Sequence, residues 1–284
     1  MNKKIKNIGR FIRRIILINP NYGFKPINFF QKTKLDFEEL ILGKDNFVCY
    51  VEGFKIKMDS LNTLSILDEI FNHKNYYQIR GNKKVLDLGG YYGESALDLS
   101  LRNKEVHTYE PEKHKFEYLK KNINQRKNIR GFNYAVVGDN SKTMTINKKN
   151  EADYASSNNK SWTKGYTERV KCINIKEVLK NNYDAIKCDI EGGEFPLIEY
   201  FLENPKRFNF KQGIFEFHFW GEEKQLEVFK DFIKMLKRKK YNFQFLNETS
   251  KKRLLYEKII SKIKNLEKGG GRFLFFLVFE KKLN

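Results

Sequence analysis

Two stretches of this chain of 284 residues gather several carboxylates around more than one glycine. The first stretch, Val85 to Ser95, reads Val-Leu-Asp-Leu-Gly-Gly-Tyr-Tyr-Gly-Glu-Ser and offers Asp87, Gly89, Gly90, Gly93, Glu94 and Ser95 to a ligand. The second, Ile186 to Glu194, brings Asp189, Glu191 and Glu194 around Gly192-Gly193. Beyond them, Phe215-Glu216-Phe217-His218-Phe219-Trp220 sets one of the chain's four histidines at the end of an apolar run. Glycines let a backbone turn tightly, adopt positive φ and approach a bound molecule closely. Carboxylates accept from hydroxyls and amines or hold a hard cation, and an imidazole moves protons near neutral pH.

The first stretch reads as a short apolar strand, a glycine turn and the start of a helix, which is how small cofactors are held. A dinucleotide fingerprint G-x-G-x-x-G from Gly89 needs glycine at 91 and a small residue at 94, where the chain has Tyr91 and Glu94. A pyrophosphate favours a helix N-terminus for its positive dipole end, and Glu94 puts a negative charge there. S-adenosylmethionine carries no phosphate, and its ammonium and sulfonium are positive. The D-x-G-x-x-x-G spacing of Asp87, Gly89 and Gly93 is the methyltransferase form of the turn, although a glycine-rich turn with no ligand has the same residues. Glu110-Pro111 follows the next apolar run, 23 residues after Asp87, where a carboxylate that binds ribose hydroxyls belongs. Glu110 is equally suited to be a helix N-terminal acid before proline. After Val136-Val137-Gly138, Val137 could pack on an adenine ring and Asp139 could accept from its amino group, while Gly-Asp-Asn is also an ordinary turn.

The second stretch follows a central strand at its carboxyl end, where ligands bind in open α/β sheets. Asp189 and Glu191 suit hydrogen bonds from substrate hydroxyls or a hard divalent cation; no metal is assigned. Glu194 opens a helix, whose dipole it favours. Strand alternation puts Glu216 and His218 on one side, so His218 or Asp189 could accept a proton. Methyl transfer from a sulfonium is an in-line displacement, in which the protein positions the acceptor and eases its deprotonation. Asp189, Glu191 and His218 are therefore the candidate catalytic residues.

The elements that must position these residues follow from the pattern. From Lys84 onward strand and helix alternate, which predicts a mostly parallel, doubly wound α/β sheet. Expected strands are 85–88, 105–109, 132–137, 185–188, 213–217, 241–245 and 273–279, with helices 93–102, 112–125, 194–202 and 222–237 between them. The polar connection 139–168 is expected to carry short strands at 144–146 and 170–173 and to serve as a substrate loop. Ahead of this domain, taken as 76–284, an extension over 1–75 holds a basic amphipathic helix at 3–18, a hairpin over 47–58 and a short helix at 63–71. A basic helical insertion is expected at about 249–268, with Gly269-Gly270-Gly271 as its hinge.

The chain is long enough to bury about three quarters of its unfolded surface. A net charge of +20 points toward anionic surroundings such as nucleic acid, acidic lipid or phosphorylated sugars, yet the lysines are spread along the whole length. Cys49, Cys172 and Cys188 form neither a disulfide framework nor a zinc motif, so a reducing cytoplasm is expected. No apolar run is long enough to cross a membrane, and charges interrupt any signal-peptide core. The helix at 3–18 either lies on an anionic membrane surface or covers its own domain's core, the second being preferred.

Together these residues resemble the FkbM family of S-adenosylmethionine-dependent methyltransferases. The family's D-x-G-A-N-x-G loop stands here as Asp87-Leu88-Gly89-Gly90-Tyr91-Tyr92-Gly93, with Gly90-Tyr91 for Ala-Asn. Its E-P is Glu110-Pro111, its K-x-D-x-E-G-x-E is Lys187 to Glu194, and its E-x-H is Glu216-Phe217-His218. The resemblance spans roughly Tyr76 to His218. It implies a class I, Rossmann-like methyltransferase fold with a seven-stranded sheet covered by helices on both faces, and O-methylation of sugars or hydroxylated metabolites. Three readings follow: an O-methyltransferase for a sugar, glycan or glycolipid hydroxyl, an RNA methyltransferase, or a non-catalytic nucleoside-binding protein of the same fold.

Overall fold

The computed structural model describes residues 34–36, 47–59, 63–148, 166–222, 224–247, 252–269 and 272–282. Strands β1 (Lys34–Asp36), β2 (Phe47–Val51) and β3 (Phe54–Met58) pair antiparallel, with β2 and β3 joined through Glu52 and Gly53, both at positive φ. Helix α1 (Thr63–Leu67) runs into a wider turn over Asp68–Asn72. Strand and helix then alternate as β4 (Lys84–Leu88), α2 (Glu94–Ser100), β5 (Glu105–Tyr109), α3 (Lys113–Ile123) and β6 (Ile129–Phe132). A second three-stranded sheet holds β7 (Ala135–Val137), β8 (Thr143–Lys148) and β9 (Tyr166–Asn174), after which comes the short α4 (Ile175–Val178). The chain continues with β10 (Ala185–Cys188), α5 (Glu194–Glu203), β11 (Gln212–Phe219) and α6 (Gln225–Arg238). It ends with β12 (Tyr241–Asn247), β13 (Arg253–Leu254), α7 (Tyr256–Gly269) and β14 (Phe273–Lys281).

The main sheet has the order β13-β12-β14-β11-β10-β4-β5-β6. Its strands are parallel except β14, which runs antiparallel between β11 and β12, and the two-residue β13 at the edge. The seven expected strands are joined by this short eighth. From β4 the chain winds outward through β5 and β6, then returns to lay β10 on the other side of β4. The order reverses between β4 and β10, and the crevice at such a reversal is where open α/β sheets bind ligands.

Alternation along the buried strands sends side chains to two different cores. Val85, Ile214, Phe276 and Val278 face a core shared with Cys49 and Ile56 of the hairpin, Leu64, Ala96 and Leu119. Leu86, Ile186, Phe215, Phe217, Phe275 and Phe279 face the other, with Phe201, Phe208, Phe229 and Phe232, and with Ile259 and Ile263 of α7. Phe208 meets Phe201, Phe210 and Phe232 edge-on at 5.1–5.4 Å between ring centroids, the arrangement that ring quadrupoles favour. The hairpin is tied to α3 by hydrogen bonds in both directions: Lys57 N–H donates to Asn122 Oδ1, and Asn122 Nδ2 donates to the Lys57 carbonyl.

Three local expectations are revised. The single strand at 132–137 is two strands in different sheets, because Asn133 turns the chain by donating to the Glu110 and Pro111 carbonyls at 2.8 and 2.9 Å. Strand β1 has no sequence signal, being three residues that pair with β2. Strand β11 extends to Phe219, so His218 lies inside it. The helix expected at 3–18, the middle of the 139–168 connection and Gly270-Gly271 lie outside the described residues.

Candidate active site

The glycine turn after β4 is held from three sides. Gly89 has φ +83°, and a Cβ there would run into the carbonyl oxygen of Asp189 in the neighbouring turn. Gly93 has φ +96° and lies against Ile123 and Leu119 of α3. Between them Tyr91 adopts φ +48°, a region that Asn tolerates better than Tyr. Tyr91 is held there by its N–H on Glu110 Oε2 at 2.9 Å, by its ring against Tyr92 and by the Lys115 ammonium 5.0 Å from its centroid.

Behind the turn is a row of buried charge. Asp87, fully buried, accepts from Ser95 Oγ at 2.9 Å. Lys187, directly opposite Asp87 in the register of β10 with β4, stands 3.4 Å from Asp87 Oδ1 and 3.7 Å from Asp189 Oδ2. Its ammonium donates to the Leu88 and Gly89 carbonyls at 3.2 and 2.6 Å. Burial opposes that charge, but Asp87 and Asp189 hold the lysine above its ordinary value. Glu94 Oε2 accepts from the Tyr92 N–H at 3.0 Å, while its Oε1 is buried without a hydrogen-bond partner. Burial pushes the Glu94 carboxyl up to about 8. Glu110, also buried, accepts from the Tyr91 and Glu112 N–H groups, and burial raises it to about 7.

The second turn, after β10, has Glu191 at φ +52° and Gly192 at φ +100°. Glu194 accepts from the Ile190 N–H through Oε1 at 2.8 Å and from the Gly192 N–H through Oε2 at 2.9 Å. Its Oε1 also meets His218 Nδ1 at 3.1 Å. The other ring nitrogen, Nε2, lies 3.4 Å from Glu191 Oε2 and 3.9 Å from Asp189 Oδ1. Burial opposes a charged imidazole, yet Glu191, Glu194 and Glu216 around it raise His218 well above 6.5. Burial also raises Glu191.

A cavity of about 430 Å³ opens beside both turns. Its walls include Leu88, Gly89, Tyr109, Pro111, Val137, Asp139, Ile190, Gly193 and Tyr200. That volume is in the range of small-molecule sites. Of the residues expected to touch a cofactor, Gly89, Val137 and Asp139 line it. Glu110 lies between its lining neighbours Tyr109 and Pro111 with its carboxylate turned to the glycine turn. Gly90 and Gly93 pack on Thr108, Leu119 and Ile123, and Asp87 and Ser95 are paired behind. Asp139 is exposed and accepts from Ser141 N–H, so it also serves the turn that the sequence allowed. Sequence reasoning missed the apolar walls Tyr109, Ile190 and Tyr200. It also missed Lys187 as the brace of the glycine turn and Glu194 as the partner of His218. A lysine inside the otherwise apolar run Ala185–Cys188 was the available signal.

A small cationic nucleoside suits this ground. The acid-rich turn leaves a buried carboxylate oxygen of Glu94 unpartnered, and the adjoining walls are apolar and aromatic. Six parallel strands, a reversed β14 slotted between β11 and β12, a glycine turn after β4 and an acid after β5 define a class I methyltransferase that uses S-adenosylmethionine. The profile described as "Methyltransferase FkbM domain" matches residues 87–245, more than half of the chain. The chain belongs to the FkbM methyltransferase family.

No sequence among the curated proteins matches the chain. Among solved structures it is similar to Trm5b from Pyrococcus abyssi, with 10% identity, 84% of this chain and 56% of that one covered, and a TM-score of 0.43. The chain thus spans little more than half the length of that protein. It is similar to M. jannaschii TYW2 in complex with AdoMet at 12% identity, with 84% and 88% covered and a TM-score of 0.41. Aeropyrum pernix fibrillarin with bound S-adenosyl-L-methionine shares 11% identity, with 71% and 67% covered and a TM-score of 0.39.

Proposed function

We propose that this methyltransferase acts on oxygen, and that its acceptor is a hydroxyl of a sugar, glycan or glycolipid. The observation that carries this reading is the convergence of Asp189, Glu191 and His218 on one point at the carboxyl ends of β10 and β11. That point adjoins the turn where Gly89 backs onto Asp189. A hydroxyl is a poor nucleophile until its proton is drawn off, and a cluster of carboxylates and an imidazole suits that task. When bound, S-adenosylmethionine supplies a methyl group on a sulfonium that leaves as a neutral thioether.

The chain's own residues divide the remaining work. Val137 and Ile190 enclose the adenine and Asp139 accepts from its amino group. The Glu110 carboxylate, already fixed by two backbone N–H groups, takes the ribose hydroxyls. Gly89, Gly90 and Gly93 keep the turn thin enough for the methionyl part to pass, and Glu94 faces its positive charge with Asp87 and Ser95 in support. Asp189 and Glu191 accept from the hydroxyls of the acceptor, and His218 or Asp189 draws off the proton as the oxygen attacks.

Transfer of labelled methyl to a panel of glycans, glycolipids and RNA tests the reading. Asp189→Asn and His218→Asn are expected to lower kcat/KM by about 10²–10⁴ while the affinity for S-adenosylmethionine, measured by calorimetry, stays the same. Unchanged turnover in both variants would remove these residues from catalysis.

The net charge of +20 favours one second reading, an RNA acceptor. Under it, acceptor binding weakens steeply with salt; a neutral glycan shows no such slope. Three free, buried cysteines suit a reducing cytoplasm, and no helix of the described residues is long and apolar enough to cross a membrane. If the acceptor is a glycolipid, residues 3–18 bring the enzyme to an anionic membrane surface.

A further inference from the structure

We infer that Asp189, Glu191 and His218 bind a divalent cation, which takes the acceptor's hydroxyl oxygen as a further ligand. Among the described residues these three offer one ligand atom each, all within 4.8 Å of one another. Ligand atoms about 2.1 Å from a shared ion lie roughly 3.0–4.2 Å apart, depending on the angle they make. The 3.4 and 3.9 Å separations from His218 Nε2 to Glu191 and Asp189 fall in that range.

The histidine supplies an independent observation. Its side chain is 2% exposed, and a carboxylate, Glu194, accepts from Nδ1. That bond fixes the ring and turns Nε2 toward the two acids, where a bound cation takes the place of its proton. Histidines that bind metals are oriented this way, by an acceptor on the far nitrogen. Glu194 cannot swing away, because two backbone N–H groups pin its oxygens. Asp189 and Glu191, by contrast, are 26% and 27% exposed, so the open side of the cluster faces outward, where an acceptor arrives. Two carboxylates and one imidazole suit Mn²⁺, Fe²⁺ or Zn²⁺ better than Mg²⁺ or Ca²⁺, which prefer oxygen alone.

An ion here deepens the O-methylation reading and rests on it for the acceptor, though not for the binding of the ion. It replaces His218 in easing loss of the proton. The O–H bond breaks, its proton passes to solvent and its electron pair stays on oxygen. That pair forms the O–C bond as the C–S bond breaks and its pair returns to sulfur.

Mn²⁺ titrated into the full chain and followed by electron paramagnetic resonance tests the site. One equivalent is expected to bind, with imidazole nitrogen coupling in the pulsed spectrum. Asp189→Asn, Glu191→Gln and His218→Asn should each weaken binding at least tenfold, and Glu194→Gln about tenfold. The coupling should vanish in His218→Asn and persist in His114→Asn, which changes an exposed histidine of α3 bonded to Asp59 and outside the cluster. Should the variants fail to fold, the wild-type spectrum alone decides: no bound Mn²⁺, or bound Mn²⁺ without nitrogen coupling, overturns the site. Methyl transfer to a hydroxyl at full rate in chelator also overturns it while leaving O-methylation intact. Bound Mn²⁺ with nitrogen coupling, but no hydroxyl methylated, upholds the cation site and sinks the acceptor assignment instead.

Discussion

The turn after β4 and the turn after β10 are built to the same measure. Their strands pair in register, Val85 with Ala185 through Leu88 with Cys188, and each helix opens on a buried glutamate seven residues past the Asp87–Lys187 pair. The difference lies in what those glutamates do. Glu194 spends both oxygens on its own loop and gives one of them to His218 as well, so it is a fixed support for that imidazole. Glu94 uses one oxygen and keeps the other buried without a hydrogen-bond partner. One loop design thus appears twice, once with its glutamate fully bonded and once with a carboxylate oxygen left over.

Lys187→Met attacks both turns at once, since it strips the counter-charge from Asp87 and the donor from two carbonyls of the glycine turn. Removing one partner of a buried pair is worth about 3–5 kcal/mol, and urea denaturation should register a loss of that size. Gly89→Ala comes next, at roughly 3 kcal/mol, from a positive φ without glycine and a Cβ pressed on Asp189; calorimetry should also find S-adenosylmethionine binding lost.

The two glutamates separate the turns most cleanly. Glu194→Gln removes one acceptor from a fully used set and should destabilise by about 1–3 kcal/mol. Glu94→Gln keeps the acceptor for Tyr92 and removes the titrating proton. The Glu94 carboxyl has a folded value of about 8 against an ordinary 4.5, so the folded state keeps its proton across that window. Its contribution to stability is whole below about pH 4.5 and is lost as pH rises through about 8. Glu94→Gln has no such loss, so its Tm should gain on wild type between about pH 5 and pH 9, and a flat difference would show that the acid is solvated. Smallest is Tyr91→Asn, which relieves positive φ but gives up the contacts with Tyr92 and Lys115. Thermal melts should place it within about 1 kcal/mol of wild type.

Most of this architecture was readable along the chain, because buried parallel strands are apolar runs and the glycines mark where the chain must turn. The strand Ala185–Cys188 falls on its expected residues, and His218 lies 3.9 Å from Asp189 with Glu191 and Glu194 nearer still. What could not be read depends on neighbours distant in sequence. Glu194 resembled a simple helix-start acid until His218 arrived from β11, 24 residues on. Asn133 gave no warning that its side chain would split one strand into two by reaching back to Glu110. The walls Ile190 and Tyr200 are ordinary apolar residues whose role exists only once a cavity forms between elements.

The two residues of β13 have a consequence at the far rim of the sheet. Behind them β12 presents seven residues of backbone, Phe243 and Phe245 included, and an open ladder of that length invites another molecule to add a strand. Arg253 and Leu254 take up the inner end of that ladder, and α7, anchored by Ile259 and Ile263, covers the cluster beneath it. Clipping the chain there would lengthen the unpaired margin and bare the apolar cluster under α7, and self-association would be the first symptom.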